Sequence, residues 1–185
     1  MIDDSQKFIL RDRLKKANIG PQLWKLRLDE LGNEGKLLRE ALLTNEITSD
    51  CDSGIVYNIY GDANRIDVIA ALAKELSIFG NDCYYLSIRQ MQMMLDYDDR
   101  VEKIYDAGIL FINNFYEKEF ESPLQGDKRF QLEDVLNYRL DGGKPIFICS
   151  STRLNDIKWW SQTLLHKMTK NSKEIYVSKS KHNRG

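Results

Sequence analysis

The sequence predicts an α/β fold of three layers, with a mostly parallel central sheet between two layers of helices. From residue 54 onward, short apolar runs alternate with amphipathic helical stretches. Strands separated by helices need crossover connections, which make neighbouring strands parallel. Residues 108–112, GILFI, are apolar throughout, as expected for a strand that helices cover on both faces.

The first predicted element is a short basic helix over residues 6–17. Phe8, Ile9 and Leu14 are its apolar positions. The segment NIGP at residues 18–21 ends this helix, because glycine and proline interrupt helical structure.

A second helical stretch is predicted over residues 23–43, with an interruption at residues 32–35, where two glycines occur. Residues 48–54, TSDCDSG, are polar and rich in turn-forming residues, which predicts a connector. The chain is therefore divided into a helical N-terminal segment with its linker, a core and a basic tail: residues 1–47, 48–177 and 178–185.

After the connector, the pattern alternates between strands and helices whose apolar residues recur at spacings of three and four. The predicted strands cover residues 54–60, 82–88, 107–112, 144–149 and 174–177. The predicted helices cover residues 67–77, 89–96, 131–140 and 157–167.

Composition places the chain among ordinary globular proteins. Its 185 residues are 42% hydrophobic and 30% charged, which suits one domain with a sizeable core. The net charge of -1 excludes a surface that is basic throughout and coats nucleic acid. No apolar run reaches membrane length, and the N-terminus lacks the order of a signal peptide. We therefore expect a cytoplasmic protein with no membrane partner.

The cysteines exclude two classes of site. Cys51, Cys83 and Cys149 are too few and too scattered for a disulfide framework or a zinc site. Cys83 and Cys149 lie in apolar runs, so we expect each to be a small buried hydrophobe. A reducing compartment and the absence of a metal site are the resulting expectations.

The most informative motif has the layout of a phosphate-binding loop but lacks the lysine and the hydroxyl residue of such a loop. The segment IVYNIYGDANRIDVIAALAKEL reads as a strand, a glycine turn and a helix, and in this layout backbone amides hold phosphates. A working loop has the pattern G-x-x-x-x-G-K-[ST]. Aligned on Gly61, the lysine and hydroxyl positions hold Asp67 and Val68; aligned on the helix, they hold Arg65 and Ile66. Both alignments predict that ATPase activity has been lost.

Further segments resemble the AAA+ domain of the DnaC and DnaI helicase loaders and the related IstB transposition proteins. Residues 17–31, ANIGPQLWKLRLDEL, are similar to the segment that precedes this domain. Residues 105–115, YDAGILFINNF, occupy the place of the family's D-L-L-I-I-D-D-L-G motif. Residues 132–151, LEDVLNYRLDGGKPIFICSS, keep the family's spacing of N-Y-R, G-K-P and a serine. The similarity covers about residues 17–177 and implies a P-loop AAA+ fold without a separate lid domain.

The resemblance also implies which residues form the vestigial nucleotide site. Asn113 and Asn114 stand where the family has its Walker B acidic pair, and an uncharged amide is a poor magnesium ligand. Ser151 stands in place of the sensor asparagine, and the arginine-finger segment, LLHKMTKNSKE, contains no arginine. The whole vestigial site comprises Gly61, Asn64, Arg65, Ile66, Asn113, Asn114 and Ser151.

We accordingly expect no catalytic residue, no ATP or magnesium cofactor and no metal. Two alternatives remain open at this point. The helix N-terminus and Arg65 would hold an anion, although Asp62 and Asp67 oppose it. A weak ATPase would use Arg65 with an unrecognised acid such as Glu117 or Glu119.

Two surfaces are predicted to bind partners. The N-terminal helix would lie in a groove of a partner protein, or else pack on its own domain; the residues concerned are Phe8, Ile9, Arg11, Arg13 and Leu14. Basic residues toward the C-terminus would hold a phosphate backbone, or else form a solvated terminus; they are Lys167, Lys170, Lys173, Lys179, Lys181 and Arg184.

Two tryptophan predictions remain open. Trp159 and Trp160 would stack on bases of single-stranded DNA, or pack at the sheet. If residues 17–31 pack over the vacant nucleotide site, Trp24 or Leu26 would fill part of the space left by ATP.

The resemblance implies an ATPase-inactive loader or adaptor that binds a replicative DnaB-type helicase or another AAA+ replication protein. A compact version of this kind suits a phage or a mobile element that borrows the helicase of its host. The alternatives are an inhibitor of the host helicase or loader, a non-catalytic structural subunit of a AAA+ replication complex, and a single-stranded DNA-binding protein.

Overall fold

The computed structural model describes residues 4–62, 64–97, 101–117 and 127–178. Its strands are β1 (Val56–Gly61), β2 (Cys83–Ser87), β3 (Ile109–Tyr116), β4 (Ile146–Ser150) and β5 (Ser172–Val177). They form one five-stranded sheet in the order β2-β3-β4-β1-β5 within the described residues. Each pairing is parallel, which confirms the predicted α/β fold with a parallel sheet.

Helices cover both faces of the sheet and complete the three layers. On one face lie α1 (Asp4–Lys16), α2 (Gly32–Leu43), α3 (Glu46–Asp52) and α4 (Arg65–Ile78). On the other face lie α5 (Ile88–Tyr97), α6 (Val101–Asp106), α7 (Asp127–Asp141) and α8 (Gln162–Lys170). None of the described helices combines the length and the apolar composition that crossing a bilayer requires.

The core beneath α4 is built on stacked aromatic rings. Tyr57 of β1 stacks on Phe147 of β4 with ring centroids 4.6 Å apart, and Phe147 stacks on Phe111 of β3 at 4.7 Å. Helix α4 contributes small and branched side chains to this layer, including buried Ala70 and Ala73. Small residues let a helix approach a sheet closely, and α4 lies at the centre of its face, in contact with β1, β2, β3 and β4.

The segment that follows α1 closes one edge of the sheet. The Tyr85 amide of the edge strand β2 donates to Ala17 O at 2.9 Å, and Asn18 Nδ2 donates to Tyr85 O at 2.8 Å. Further along the same edge, Gln90 Oε1 accepts from the Ser87 amide at 2.7 Å. Backbone groups of Tyr85 and Ser87, which an edge strand would otherwise leave exposed, are thereby satisfied within the chain.

Several sequence predictions about local structure are wrong. The predicted interruption at residues 32–35 lies within α2, which runs from Gly32 to Leu43. The predicted connector at residues 48–54 is largely helical, because α3 buries Ile47 and Cys51 one turn apart and turns its polar residues outward. The predicted helix at residues 157–167 begins only at Gln162, where the Ser161 hydroxyl accepts a capping bond from the Leu164 amide at 3.3 Å.

A fully buried arginine joins two layers at the amino ends of the strands. Arg139 of α7 donates to the carbonyl oxygens of Ile104, Ala107 and Pro145 at 3.1, 2.9 and 3.1 Å, and to others nearby. Burial away from water lowers the pKa of its guanidinium to about 10. Since its acceptors are backbone carbonyls, Arg139 fixes the turn between α6 and β3 rather than serving a ligand.

Candidate functional site

The candidate site lies at the carboxyl ends of β1, β3 and β4, beside the first turn of α4. Strand β1 ends at Gly61, whose φ of 117° lies in the region open to glycine. A Cβ added there would lie 2.4 Å from Val177 O, so the turn requires glycine for space as well. Asn64 precedes α4, at the N-cap position, and Arg65 is the first residue of the helix.

Arg65 turns inward and occupies this site with its own side chain. Its Nη1 donates to Gly61 O at 2.8 Å, and its Nη2 lies 2.7 and 2.5 Å from the two oxygens of Glu117. Glu117 directly follows β3, so the ion pair spans from the loop after β1 to the end of β3. Only 9% of the Arg65 side chain is exposed.

The charge that would attract a phosphate is therefore neutralised within the chain. A phosphate group would have to displace the Glu117 carboxylate, and the negative charge of Asp62 and Asp67 near the loop opposes this exchange. Arg65 Nε has no hydrogen-bond partner among the described residues. The sequence identified the position of Arg65 and named Glu117 and Glu119 as acids that would act with it, and the fold shows that Glu117 forms an ion pair with Arg65.

The two asparagines that follow the apolar part of β3 differ in their surroundings. Asn113 Nδ2 donates to the Tyr85 hydroxyl at 2.6 Å and so links β3 to β2. Asn114 has a φ of 49° and lies where the register of β3 against β4 shifts. Asparagine tolerates this left-handed conformation better than most residues, so Asn114 supports a bulge that lets the strand continue to Tyr116.

A polar network that sequence reasoning missed lies beside Ser151. Ser150 Oγ lies 2.8 Å from Asn58 Oδ1, and Asn58 Nδ2 lies 3.2 Å from Glu174 Oε1. The same Glu174 oxygen accepts from the Leu154 amide at 2.8 Å. The signal for this network was a single asparagine in the middle of the apolar run of β1.

This network positions the loop after β4. Asn58 and Ser150 are fully buried, and a buried polar group is stable only when it is hydrogen-bonded. Ser151, the residue predicted at the sensor position, contributes its backbone amide to Tyr116 O at 2.8 Å. The loop is therefore tied to β1, β3 and β5 at once.

Leu26 lies away from this site, which contradicts the prediction that it fills the vacant space, and Trp24 is hydrogen-bonded to the segment that precedes it. Trp24 Nε1 donates to Ile19 O at 2.9 Å, and Leu26 O accepts from the Lys74 ammonium group. Lys74 lies nine residues after Arg65 on α4, a distance of about 13 Å along the helix axis. The space beside the loop is occupied by Arg65 instead.

The predicted partner surface on α1 is only partly at the surface. The prediction that Leu14 binds a partner is wrong, because Leu14 is 5% exposed and packs in the core of its own domain. Arg13 Nη1 donates to Ile78 O at 2.9 Å and so anchors α1 on α4. Phe8, Ile9 and Arg11 are exposed, so they form the part of the predicted surface that a partner can reach.

The basic residues predicted to hold nucleic acid divide into three groups. Lys167 is 2.8 Å from Asp141 Oδ1, and Lys173 is 2.7 Å from Asp50 Oδ2. Hydrogen bonds to Asp50 and then to Glu46 raise the pKa of Lys173. These two charges are matched within the chain, whereas Lys170 is exposed. Lys179, Lys181 and Arg184 lie outside the described residues.

Both tryptophans of the predicted stacking pair lie against aromatic residues of their own chain. Trp160 is 2% exposed and stacks on Phe115 with centroids 4.9 Å apart. Trp159 meets Tyr116 edge to face at 4.8 Å. The pair lies in the loop before α8 rather than on a helix. The packing interpretation therefore holds for Trp160, and Trp159 is half-covered.

The described residues contain no cluster of three or more histidine, cysteine or acidic side chains that would hold a metal ion. Cys149 lies under the site at the end of β4 and is buried, as predicted, and burial raises the pKa of its thiol to about 12. A thiol held neutral in this way is a poor nucleophile.

Comparison with known proteins identifies the fold but not a family. No family model matches the sequence, and no curated protein matches it. Among solved structures, a crystal structure of DnaI is similar with a TM-score of 0.65 and 12% identity, covering 87% of this chain and 92% of that one. A crystal structure of the DnaC helicase loader has a TM-score of 0.60 and 12% identity over 86% of this chain and 100% of that one.

A structure of AMPPCP-bound DnaA from Aquifex aeolicus is also similar, with a TM-score of 0.63 and 14% identity. The match covers 86% of this chain and 51% of that one, so the chain spans about half the length of DnaA. At these identities the likeness is one of fold. Together with the strand order, it shows that the domain has the fold of AAA+ P-loop proteins.

Proposed function

We propose that this protein acts in DNA replication as an ATPase-inactive loader or adaptor that binds a replicative DnaB-type helicase. The fold supports this proposal, because it is similar to the structures of DnaI and of the DnaC helicase loader. The single observation that carries it is the ion pair between Arg65 Nη2 and both carboxylate oxygens of Glu117, which fills the phosphate end of the site.

The chemistry of the site supports a protein that does not hydrolyse ATP. Phosphoryl transfer needs a cation at the phosphates, carboxylates that hold magnesium, and a group that positions water. Here the cation is paired with Glu117, and neutral Asn113 and Asn114 occupy the positions of the acidic pair. Nucleotide binding would have to break a charge-assisted hydrogen bond in a largely buried place, which is unfavourable.

An ATP-independent loader needs another way to release its partner. Binding strain between loader and helicase would drive loading, and competition or the ATPase of the helicase would drive release. The exposed end of α1 is the proposed contact, because Phe8 and Ile9 present apolar surface beside the positive charge of Arg11. A basic amphipathic surface of this kind fits an acidic groove on a partner protein.

Isothermal titration calorimetry tests the proposal. The protein is titrated with ATP and with ADP in the presence of magnesium, and separately with a DnaB-type helicase. We expect no heat from either nucleotide and saturable binding of the helicase, which a Phe8→Ser/Ile9→Ser variant weakens. A matched Met93→Ser variant, altered at an exposed residue of α5 on the opposite face, should bind normally.

Either of two results would contradict this function. Micromolar nucleotide binding would restore an ATP switch, and failure of the helicase to bind would favour a structural subunit of another complex. Once helicase binding is established, a DNA-unwinding assay distinguishes a loader, which increases unwinding, from an inhibitor, which decreases it.

A further inference from the structure

An apolar groove of about 430 Å³ lies between α2, α3 and the edge strand β5. Its walls are formed by apolar residues of all three elements, namely Leu37, Leu38, Ala41, Ile47 and Ile175. Leu37, at the mouth of the groove, is 64% exposed. Exposed apolar surface with a polar rim is typical of a protein-binding site.

The rim of this groove is acidic. Glu34 and Glu46 line the groove. In α2, Glu34 lies three residues before Leu37 and Glu40 three residues after it, so both glutamates share the face of Leu37. Lys173 is the basic residue of the lining, and its ammonium is already paired with Glu46 and Asp50. The groove therefore favours an occupant that combines apolar side chains with positive charge.

The exposed face of α1 has this chemistry. Phe8 is 73% exposed and Ile9 is 51% exposed, so both project from the helix into solvent. Arg11 and Lys15 are exposed on the same helix, at three and seven residues from Phe8, which places them on the same face. Because buried Leu14 fixes α1 on its own core, this face is presented rigidly.

The two surfaces lie toward opposite edges of one sheet. The segment after α1 pairs with β2, whereas the groove adjoins β5. Five strands at about 4.8 Å spacing separate these edges by about 19 Å. Arg13 and Leu14 hold α1 against α4 and the core, and the segment after α1 pairs with β2, so α1 lies on the β2 side of its face. The occupant that fits is α1 of a second copy.

We propose that α1 of one molecule docks in the α2–α3–β5 groove of the next, with Phe8 and Ile9 against Leu37 and Arg11 against Glu34. Different surfaces of the two copies meet in this contact, so it is heterologous and repeats head to tail into a ring or an open chain. It uses the same α1 residues as the proposed helicase contact, so the helicase and a second copy would compete for α1.

Sedimentation velocity without helicase or nucleotide tests this interface. We expect oligomers to appear with rising concentration up to about 100 μM, as for a weak interface of modest area. The Phe8→Ser variant and the Leu37→Glu variant should each weaken self-association about tenfold or more. Both residues are exposed, so circular dichroism should show unchanged folding, and Met93→Ser should assemble as the parent does.

Mixing the two defective variants gives the decisive result. Leu37→Glu keeps an intact α1 and Phe8→Ser keeps an intact groove, so the mixture should form a one-to-one dimer that extends no further. A parent protein that stays monomeric, or variants that fail to complement each other, would overturn the interface. Neither failure bears on helicase binding, which is measured separately.

Discussion

Arg65 and Glu117 connect the first turn of α4 to the end of β3 through two short contacts, 2.7 and 2.5 Å long. The pair lies where a nucleotide-binding loop needs an unpaired cation and open space. Its side chains are 9% and 21% exposed, so each charge depends on the other for compensation. An internal ion pair thus holds the loop after β1 against the end of β3.

Breaking this ion pair on one side should destabilise the protein more than removing both charges. Arg65→Met leaves the Glu117 carboxylate without its cation, so we expect a loss of about 3 kcal/mol in the free energy of unfolding. Arg65→Met/Glu117→Gln should lose less, because no unpaired charge remains. Urea denaturation of the parent, both single variants and the double variant measures the coupling. Strictly additive losses would mean that the two residues are not coupled.

The network around Asn58 should control the loop after β4. Asn58→Leu removes partners from Glu174 and from Ser150, so we expect a loss of about 2–3 kcal/mol and faster amide hydrogen exchange at Leu154. Ile59→Val, in the same strand but outside the network, should cost about 1 kcal/mol and leave exchange at Leu154 unchanged. Equal exchange in both variants would contradict the assigned role.

Two glycines with positive φ should respond differently to substitution. Gly61 has a φ of 117°, and an added Cβ would lie 2.4 Å from Val177 O, whereas Gly143 has a φ of 64° and open space around it. Gly143→Ala should cost about 1 kcal/mol from backbone strain alone. Gly61→Ala should cost more than about 3 kcal/mol, because the steric conflict adds to the strain. Thermal unfolding of the two variants makes the comparison, and similar melting temperatures would refute it.

Stability should fall in alkaline solution because of the buried thiols. Burial raises the pKa of Cys51, Cys83 and Cys149 to about 12, from a value of 9.0 for an unperturbed thiol. Between these values the unfolded chain releases protons that the folded chain retains, so the stabilisation present below pH 9 is lost as pH rises toward 12. Each thiol contributes up to about 1.4 kcal/mol per pH unit in this window.

Denaturation curves at a series of pH values measure this loss. In the Cys149→Ala variant, the free energy of unfolding should fall less steeply above pH 9, because two buried thiols contribute instead of three. Below pH 9 its dependence on pH should change little. A free energy of unfolding that is constant between pH 9 and pH 11 would contradict the burial of all three thiols.

The α/β fold with its parallel sheet could be predicted because it depends on local signals. Apolar runs, helical spacing and the glycine turn at Gly61 all lie close together in sequence, and the alignment on the helix identified Arg65 as the residue in the lysine position. The ion pair of Arg65 with Glu117 could not be predicted, because Glu117 lies 52 residues further along and beyond the predicted end of β3. That end was placed at Ile112, since two asparagines normally interrupt a strand, whereas Asn114 supports a bulge instead.

The remaining errors have similar physical causes. The polar segment that became α3 was assigned as a connector because Ile47 and Cys51, one helical turn apart, are its only apolar anchors. Leu14 was assigned to a partner because sequence does not tell which protein covers an apolar stripe. The start of α8 had a readable signal, since Ser161 is a favoured N-cap residue, but the apolar Ile157 and the two tryptophans outweighed it.

Ala17 and Asn18 engage the β2 edge of the sheet, so the two edges differ in how open they are to a further strand. A β-sheet grows into fibrils when each molecule offers two open strands, one that receives a neighbour and one that adds to the next. Here the β2 edge is engaged at Tyr85 and Ser87, while in the described part of the chain β5 pairs only with β1. A second copy that paired with β5 through its own β5 would therefore end the growing sheet, because its β2 edge is already engaged. This arrangement protects the five-stranded domain from continued aggregation.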